Sequence, residues 1–543
     1  MKTELTRRKL MQTTAVAGAV ALLTKTGAFA ADQSKTMVIA SPATPQGMDF
    51  ETDISLGSID TNGALYDRLV GFKKIADPEN PAVLREDVAV HSDQPGGMAL
   101  EGALAESWDL SEDGRSVTFH LREGVKSNWG NLLTPEDVKY SWLRKLNMKS
   151  SGTFFTDLLG IASEDQIKID GPKSVSFHLE KPSALLLKLH TNHQTGVFDS
   201  AKLKAMASTD DPWSTKFLKS ESAGYGPYKI RQIARGQQAI FDRHKDYWGP
   251  APFFDTVVMR EVPSSASRLS LLQGGAVDIA QFLSPREVNS LKGNANVAID
   301  AVTSSYFLNV MLNAKVTPFD NPLVRQAMNY LVPRQEIIDA VFYGMASKQT
   351  GFLPVNYPMV DHSLFHYEES IDKAKELLKE AGHPNGFTTT LTYDAGSPVQ
   401  ESLALIYQTS LRRAGIEVTL EKLPAGVFYD AIAKKQKPAI FYLDAPWSPD
   451  PYYAANLYFK TGNFVNYSNY SNATVDELLN SARYEVDDAK RTALFKEIQT
   501  ILMEDAPWGL VVYPKFILAR KSNIKGFTYY TSNALRFQDF SRG

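Results

Sequence analysis

No cysteine occurs anywhere in the 543 residues. The folded chain therefore has neither disulfide staples nor thiolate metal ligands, and apolar burial with noncovalent polar contacts must hold it together. Its length suffices for two or three domains of roughly 100–200 residues each, with ample core. Strand and helix signals alternate from end to end. Residues 37–40 read as a short apolar strand, and residues 63–70 as a helix feeding a turn. Residues 108–110 and Ser116–Leu121 alternate on either side of the polar Ser111-Glu-Asp-Gly114, which predicts a hairpin. Thr134 as cap, Pro135 at the first helical position and the acids Glu136 and Asp137 predict a helix start. Ile371, Ala374, Leu377 and Leu378 share one helical face, ended by Gly382 and Pro384. A further helix over residues 491–503 has Leu494, Ile498, Ile501 and Leu502 as its core stripe. The class is α/β (α+β) with mixed sheets.

The start of the chain carries an export pattern. Thr6-Arg7-Arg8-Lys9-Leu10 is followed by an apolar run over residues 11–23 and by the small-x-small site Ala28-Phe29-Ala30. These are the parts of a secretory peptide, with a twin-arginine flavour and cleavage after Ala30. The apolar run is shorter than the roughly 20 residues that span a bilayer. Without cysteine there is no site for lipoprotein acylation, so a soluble periplasmic protein that is not lipid-anchored is expected. Removing residues 1–30 takes away five of the 58 basic residues and one of the 61 acidic ones, leaving a charge of about −7. That balance argues against nucleic acid and anionic lipid as partners.

Catalytic and metal spacings come out empty. His190 and His193 are three apart, but no zincin glutamate follows His190. Asp109, Ser111, Asp113 and Gly114 imitate a calcium loop whose twelfth position is His120, where a bidentate glutamate is required. Gly224-Tyr-Gly226 runs into Pro227 and lacks the third glycine of a dinucleotide fingerprint. Neither a nucleophile elbow nor a Walker lysine motif is present. No catalytic residue, metal site or cofactor is assigned.

An ordered set of segments resembles family 5 of the bacterial extracytoplasmic solute-binding proteins, the peptide, opine and nickel binders of ABC importers. The set begins with Leu104-Ala-Glu-Ser-Trp108, Phe119-His-Leu-Arg-Glu-Gly124 and Leu133-Thr-Pro-Glu-Asp137. It continues through Gly226-Pro-Tyr228, Asp246-Tyr-Trp-Gly249 and Ser267-Arg-Leu-Ser-Leu-Leu-Gln-Gly274. Phe319-Asp-Asn-Pro-Leu-Val-Arg-Gln-Ala327 and Ala374-Lys-Glu-Leu-Leu-Lys-Glu-Ala-Gly382 complete it. The resemblance implies a two-lobed periplasmic-binding-protein clamp. Lobe I would take residues 31–300 and 510–543, with an inserted subdomain near 76–203, and lobe II residues 301–509. It also implies a monomer that carries a small organic solute to the permease subunits of an ABC importer. The solute would be an oligopeptide, an opine or a sugar conjugate. A secreted hydrolase and a chaperone-like binder are the alternatives.

Residues 443–453 look like the lobe II segment in which dipeptide binders carry the acid that pairs with the peptide amine. With Asp450-Pro451 aligned to the family's Asp-Pro, that position falls on Trp447. The arginine for a peptide carboxylate should lie within residues 394–398, which hold none. Simple dipeptides are therefore expected to bind poorly. Aromatic and amide groups remain as ligand contacts: Trp447, Tyr452, Asn466 and Tyr467, with Tyr66 and Tyr306, while Asp444 or Asp450 would accept hydroxyl or ammonium donors. The competing readings are a core position for Trp447 and a turn acid for Asp450.

Overall fold

The computed structural model describes residues 33–543 apart from 92, 95 and 96; the expected export segment and its cleavage site lie outside the described residues. Thr36–Ser41 begins a seven-stranded sheet and is parallel to Thr256–Glu261 on one side and to Ile279–Ala280 on the other. Tyr228–Ala234 and Gln238–Arg243 extend the first side, Phe516–Lys521 and Val297–Val302 the second. No described strand between Ser41 and Tyr228 joins this sheet. That stretch instead builds its own four-stranded antiparallel sheet from Ala105–Leu110, Ser116–Leu121, Ile167–Gly171 and Ser174–His178. The hairpin expected from residues 108–121 is its first pair, with Trp108 opposite Phe119.

The second lobe is a six-stranded sheet ordered Ala346–Lys348, Trp508–Pro514, Phe307–Leu312, Ala439–Asp444, Thr388–Asp394 and Glu417–Leu423. Two of its inner strands, Phe307–Leu312 and Trp508–Pro514, are buried at every residue. Such largely apolar runs, interrupted only by Asn309 in the first, suit strands covered on both faces. The chain passes between the sheets at residues 303–306 and again at Lys515, a few residues beyond the return near 510 expected from the sequence. The Ser304 hydroxyl donates to the Pro514 carbonyl at 2.6 Å, joining the two crossings. Glu79 accepts from Thr303 at 2.9 Å and from Lys515 at 2.7 Å, so one carboxylate grips both.

Local chemistry explains the main elements. The Thr134 amide and hydroxyl donate to the Asp137 carboxylate at 2.7 and 2.8 Å, which starts the helix Pro135–Asn147. Arg144 and Lys145 at its far end are fully buried against Asp49 and Glu51, at 2.9 to 3.1 Å, and so fasten the helix to the loop after the first strand. Gly224 and Gly226 serve close packing: a Cβ on either would come within 2.4 Å of Leu65 backbone atoms. The expected helix at 63–70 lies earlier, at Leu56–Leu65, because Tyr66 turns extended and Val70–Phe72 is a strand. In the helix Asp488–Asp505 the buried stripe is Arg491, Phe495, Ile498 and Leu502; Leu494 and Ile501 sit at its edge. The shift follows from a buried arginine inside the stripe, which apolar periodicity cannot register.

His190, singled out for its spacing, is enclosed by Phe119, Trp142 and Phe177 with ring centroids 4.7 to 5.0 Å away. Neither ring nitrogen has a hydrogen-bond partner. Burial, aided by Lys145, pushes its pKa from 6.5 down to about 3. The unfolded chain therefore binds a proton that the native ring refuses, and stability present above pH 6.5 is lost as pH falls from there toward 3, by up to about 1.4 kcal/mol per pH unit. His190→Phe keeps the shape and removes the titration. Urea unfolding at pH 7 and pH 4.5 should show the variant as stable as wild type at the higher pH and less weakened at the lower one.

Candidate functional site

The strand Ala439–Asp444 ends at the cleft, and residues 445–449 loop across it before the helix Pro451–Phe459. Asp450 caps that helix by accepting from the Tyr452 amide at 2.8 Å, with Pro451 preset at the first helical position. Its carboxylate is also held in a two-pronged ion pair by Arg491, at 2.8 and 2.6 Å, with the Lys188 ammonium 3.7 Å away. Burial pushes the acid up, but Arg491, then Lys188 and the Tyr452 amide, hold its pKa below the ordinary carboxylate value. Asp450 thus binds second-lobe helices to each other and to the inserted region, and both of its oxygens are engaged within the protein.

Trp447 stands at the meeting of the lobes. Its carbonyl accepts from the Asn192 side chain at 3.1 Å, and the His193 ring meets its indole edge-on at 5.1 Å. From the other side the Tyr357 hydroxyl donates to the Pro446 carbonyl at 2.6 Å. The indole remains partly exposed, while the buried Ser448 hydroxyl and His193 Nδ1 beside it lack partners. Burial, with Arg68 nearby, pushes the His193 pKa down to about 3, so this ring is neutral. Arg68 is itself buried and donates to the Thr191 carbonyl; among the described residues it forms no ion pair.

Asp444 closes its strand with three accepted bonds, from Tyr458 at 2.8 Å, Tyr442 at 3.0 Å and the Ala445 amide at 2.8 Å. Burial raises its pKa. Tyr467 packs edge-on against Tyr442 at 5.3 Å and keeps partial exposure. Tyr306, on the first crossing, lines a cavity of about 340 Å³ between the sheets together with Gln281, Phe282, Leu443, Ser397 and Phe516.

Of the residues singled out in the sequence, Trp447 thus meets Asn192 and His193 of the other lobe and Tyr306 lines the cavity between the sheets, while Asp444 and Tyr467 keep partial exposure. The others are placed differently. Tyr66 is a core residue whose hydroxyl donates to Met48 at 2.5 Å and whose ring packs on Phe50 and Phe198. Asn466 staples its own loop through Lys460, Tyr470 and Ser468. Tyr452 is buried beside a separate groove of about 320 Å³ shared with Phe154, Asn456 and Arg483. Sequence reasoning missed Asn192, Arg68, Tyr357 and Gln281, and took His193 only for its spacing. Asn192 meets Trp447 across 255 positions, a separation no local pattern signals.

Two mixed sheets joined by two crossings, with a polar and aromatic cleft between them, make a binding-protein clamp. The chain belongs to the bacterial extracellular solute-binding proteins, family 5, whose middle region matches residues 99–466. It is similar to the probable D,D-dipeptide-binding periplasmic protein DdpA of Escherichia coli K12, 29% identical over 513 residues, covering 92% of this chain and 93% of that one. The glutathione-binding protein GsiB of Shigella dysenteriae is 28% identical over 456 residues, covering 81% and 86%. Among solved structures, the periplasmic binding protein DppA of Helicobacter pylori with the peptide STSA superposes with a TM-score of 0.79 at 26% identity, covering 94% and 99%. Among the described residues no helix is long and apolar enough to cross a membrane.

Removing one partner of a buried ion pair leaves the other charge uncompensated, at a cost of about 3–5 kcal/mol. Arg491→Ala should therefore lower the unfolding free energy by that amount, as read from denaturant midpoints. A loss below 1 kcal/mol would mean that Asp450 has other means of support.

Proposed function

We propose that this protein is a periplasmic receptor, exported and cleaved after Ala30, that acts as a monomer to capture a small organic solute between its lobes. It delivers that solute to the permease of an ABC importer. The meeting of Asn192 and His193 with Trp447 across the cleft carries the reading: residues from both lobes converge on one partly exposed indole. Hinge closure about the Ser304 and Lys515 crossings buries the solute and presents one closed form to the permease.

The solute belongs to the oligopeptide, opine or sugar-conjugate class, and the names of the relatives, a D,D-dipeptide binder and a glutathione binder, favour its peptide-like end. Trp447 offers a stacking face, and its place in the segment that pairs peptide amines in dipeptide binders sets this pocket apart from theirs. The chain acts by binding, without turnover, as its family membership supports.

A cognate solute at a hundredfold excess over its dissociation constant should add about 2.7 kcal/mol of stability and reduce the radius of gyration in solution scattering. Truncating the anchor, Trp447→Ala, should weaken binding by about 2 kcal/mol or more while leaving the fold intact. A panel of dipeptides, tripeptides, opines and glycosides, screened by thermal shift and then calorimetry, identifies the solute. Unaltered affinity in the folded variant, or chemical conversion of the bound compound, would refute the reading.

A further inference from the structure

The cavity of about 340 Å³ that Tyr306 lines has walls from both lobes and is at the small end of the range for pockets that take small molecules. Leu56, Phe282 and Phe516 line it from the first lobe, and Phe342, Val399 and Leu443 from the second. Leu56 is 42% exposed, so the cavity reaches the surface at that wall. The two cations in its lining are engaged by other groups. The Arg268 guanidinium donates to four backbone carbonyls, those of Val262, Pro263, Gln281 and Phe282, at 2.7 to 2.8 Å. Lys515 pairs with Glu79 at 2.7 Å. No aspartate or glutamate lines the cavity among the described residues, and residues 394–398, which supply part of its second-lobe wall, hold no arginine. A charged group entering here leaves water without an opposite charge to meet it.

Two polar atoms, one on each lobe, are nevertheless free. Gln281 is 5% exposed, and its Nε2 donates to Asp60 at 2.6 Å. Asp60 also accepts from the Leu535 amide at 2.7 Å, and burial raises its pKa to about 6, so at neutral pH it is ionised and can only accept. That fixes the orientation of the Gln281 amide and leaves its Oε1 as a buried acceptor with no partner. On the second-lobe wall the buried Ser397 hydroxyl likewise has no partner. Leaving a buried acceptor unpaired is costly. The cavity therefore suits a group that is apolar over most of its surface and brings one N–H or O–H to Gln281.

Resting on the reading of solute capture, we propose that the transported solute inserts a neutral, apolar group into this cavity, a ring or branched aliphatic portion with an N–H or O–H that donates to Gln281 Oε1. Ser397 meets the same group from the second lobe, so closure of the lobes completes the site. Within the peptide-like class, the portion held here is an uncharged apolar residue, and solutes that place a carboxylate or an ammonium in the cavity are rejected.

Ligand-detected NMR titration of the full mature chain with four fragments on one bicyclic frame tests this: indole, benzofuran, indole-3-acetate and tryptamine. Indole should bind at least about tenfold more tightly than the anion or the cation, and severalfold more tightly than benzofuran, which keeps the ring and lacks the N–H. Gln281→Met should remove the preference for indole over benzofuran. Ser397→Phe, at a partly exposed loop position, should fill the cavity and abolish indole binding in a variant whose circular dichroism matches wild type. Should Gln281→Met fail to fold, the wild-type series and Ser397→Phe decide. A solute found by the broader panel should displace indole. Equal binding of indole and benzofuran, tighter binding of either charged fragment, indole binding unchanged in folded Ser397→Phe, or no indole binding to the wild type would overturn the cavity site. So would a solute that binds without displacing indole. Compaction of the protein by that solute in scattering leaves solute capture standing even then, so the two readings fail separately.

Discussion

The buried carboxylate of Asp450 is the interaction on which the cleft rests. One side chain caps the helix Pro451–Phe459, pairs with Arg491 on the helix Asp488–Asp505 and draws in Lys188 from the inserted region. Such an ion pair contributes little net stability relative to a well-packed apolar replacement, because desolvating the charges offsets their attraction. Its effect is geometric: two fixed prongs from Arg491 and one backbone amide set the orientation of the chain just after residues 445–449. Those residues form the loop that carries Trp447 between the lobes.

The position of the cleft follows from sheet topology. In each lobe the parallel strands end toward the other lobe, as with Thr36–Ser41 and Thr256–Glu261 in the first and Thr388–Asp394 and Ala439–Asp444 in the second. Connections leaving such ends carry side chains free of ladder bonding, and a crevice there is the usual place for a ligand in α/β sheets. The crossings at residues 303–306 and Lys515 leave two strand connections as the covalent link between the sheets, tied by Ser304 and Glu79. A link so narrow suits hinge bending, while the apolar core running from the inserted sheet to the second lobe sets what closure must bring together.

Local chemistry made several elements legible in advance. The cap at Thr134, the hairpin at residues 108–121 and the helix Ile371–Glu380 with Ala374, Leu377 and Leu378 inward all depend on near neighbours in sequence. The stripe of the helix Asp488–Asp505 was only partly legible, because Arg491 is buried through a carboxylate 41 residues away. Tyr66 and Asn466 had the right chemistry for a ligand contact, yet their polar atoms are satisfied inside the fold. Asp444 and Asp450, six positions apart in one segment, have opposite fates: burial raises the pKa of the first, which has no cationic partner, whereas Arg491 and Lys188 hold that of the second below the ordinary carboxylate value.

By itself the sequence determined the class of fold and the family, since these rest on periodicity, capping and ordered motifs carried by short stretches, and the family resemblance pointed to the segment over residues 443–453. It also determined what the chain lacks: cysteine, and an arginine within residues 394–398. Only the tertiary structure decided which of the candidate side chains keep free chemistry. Asn192 against Trp447, Lys188 against Asp450 and Gln281 between Asp60 and the cavity are all partners distant in sequence. Whether a polar group is spent or available depends on such partners, and packing alone assigns them.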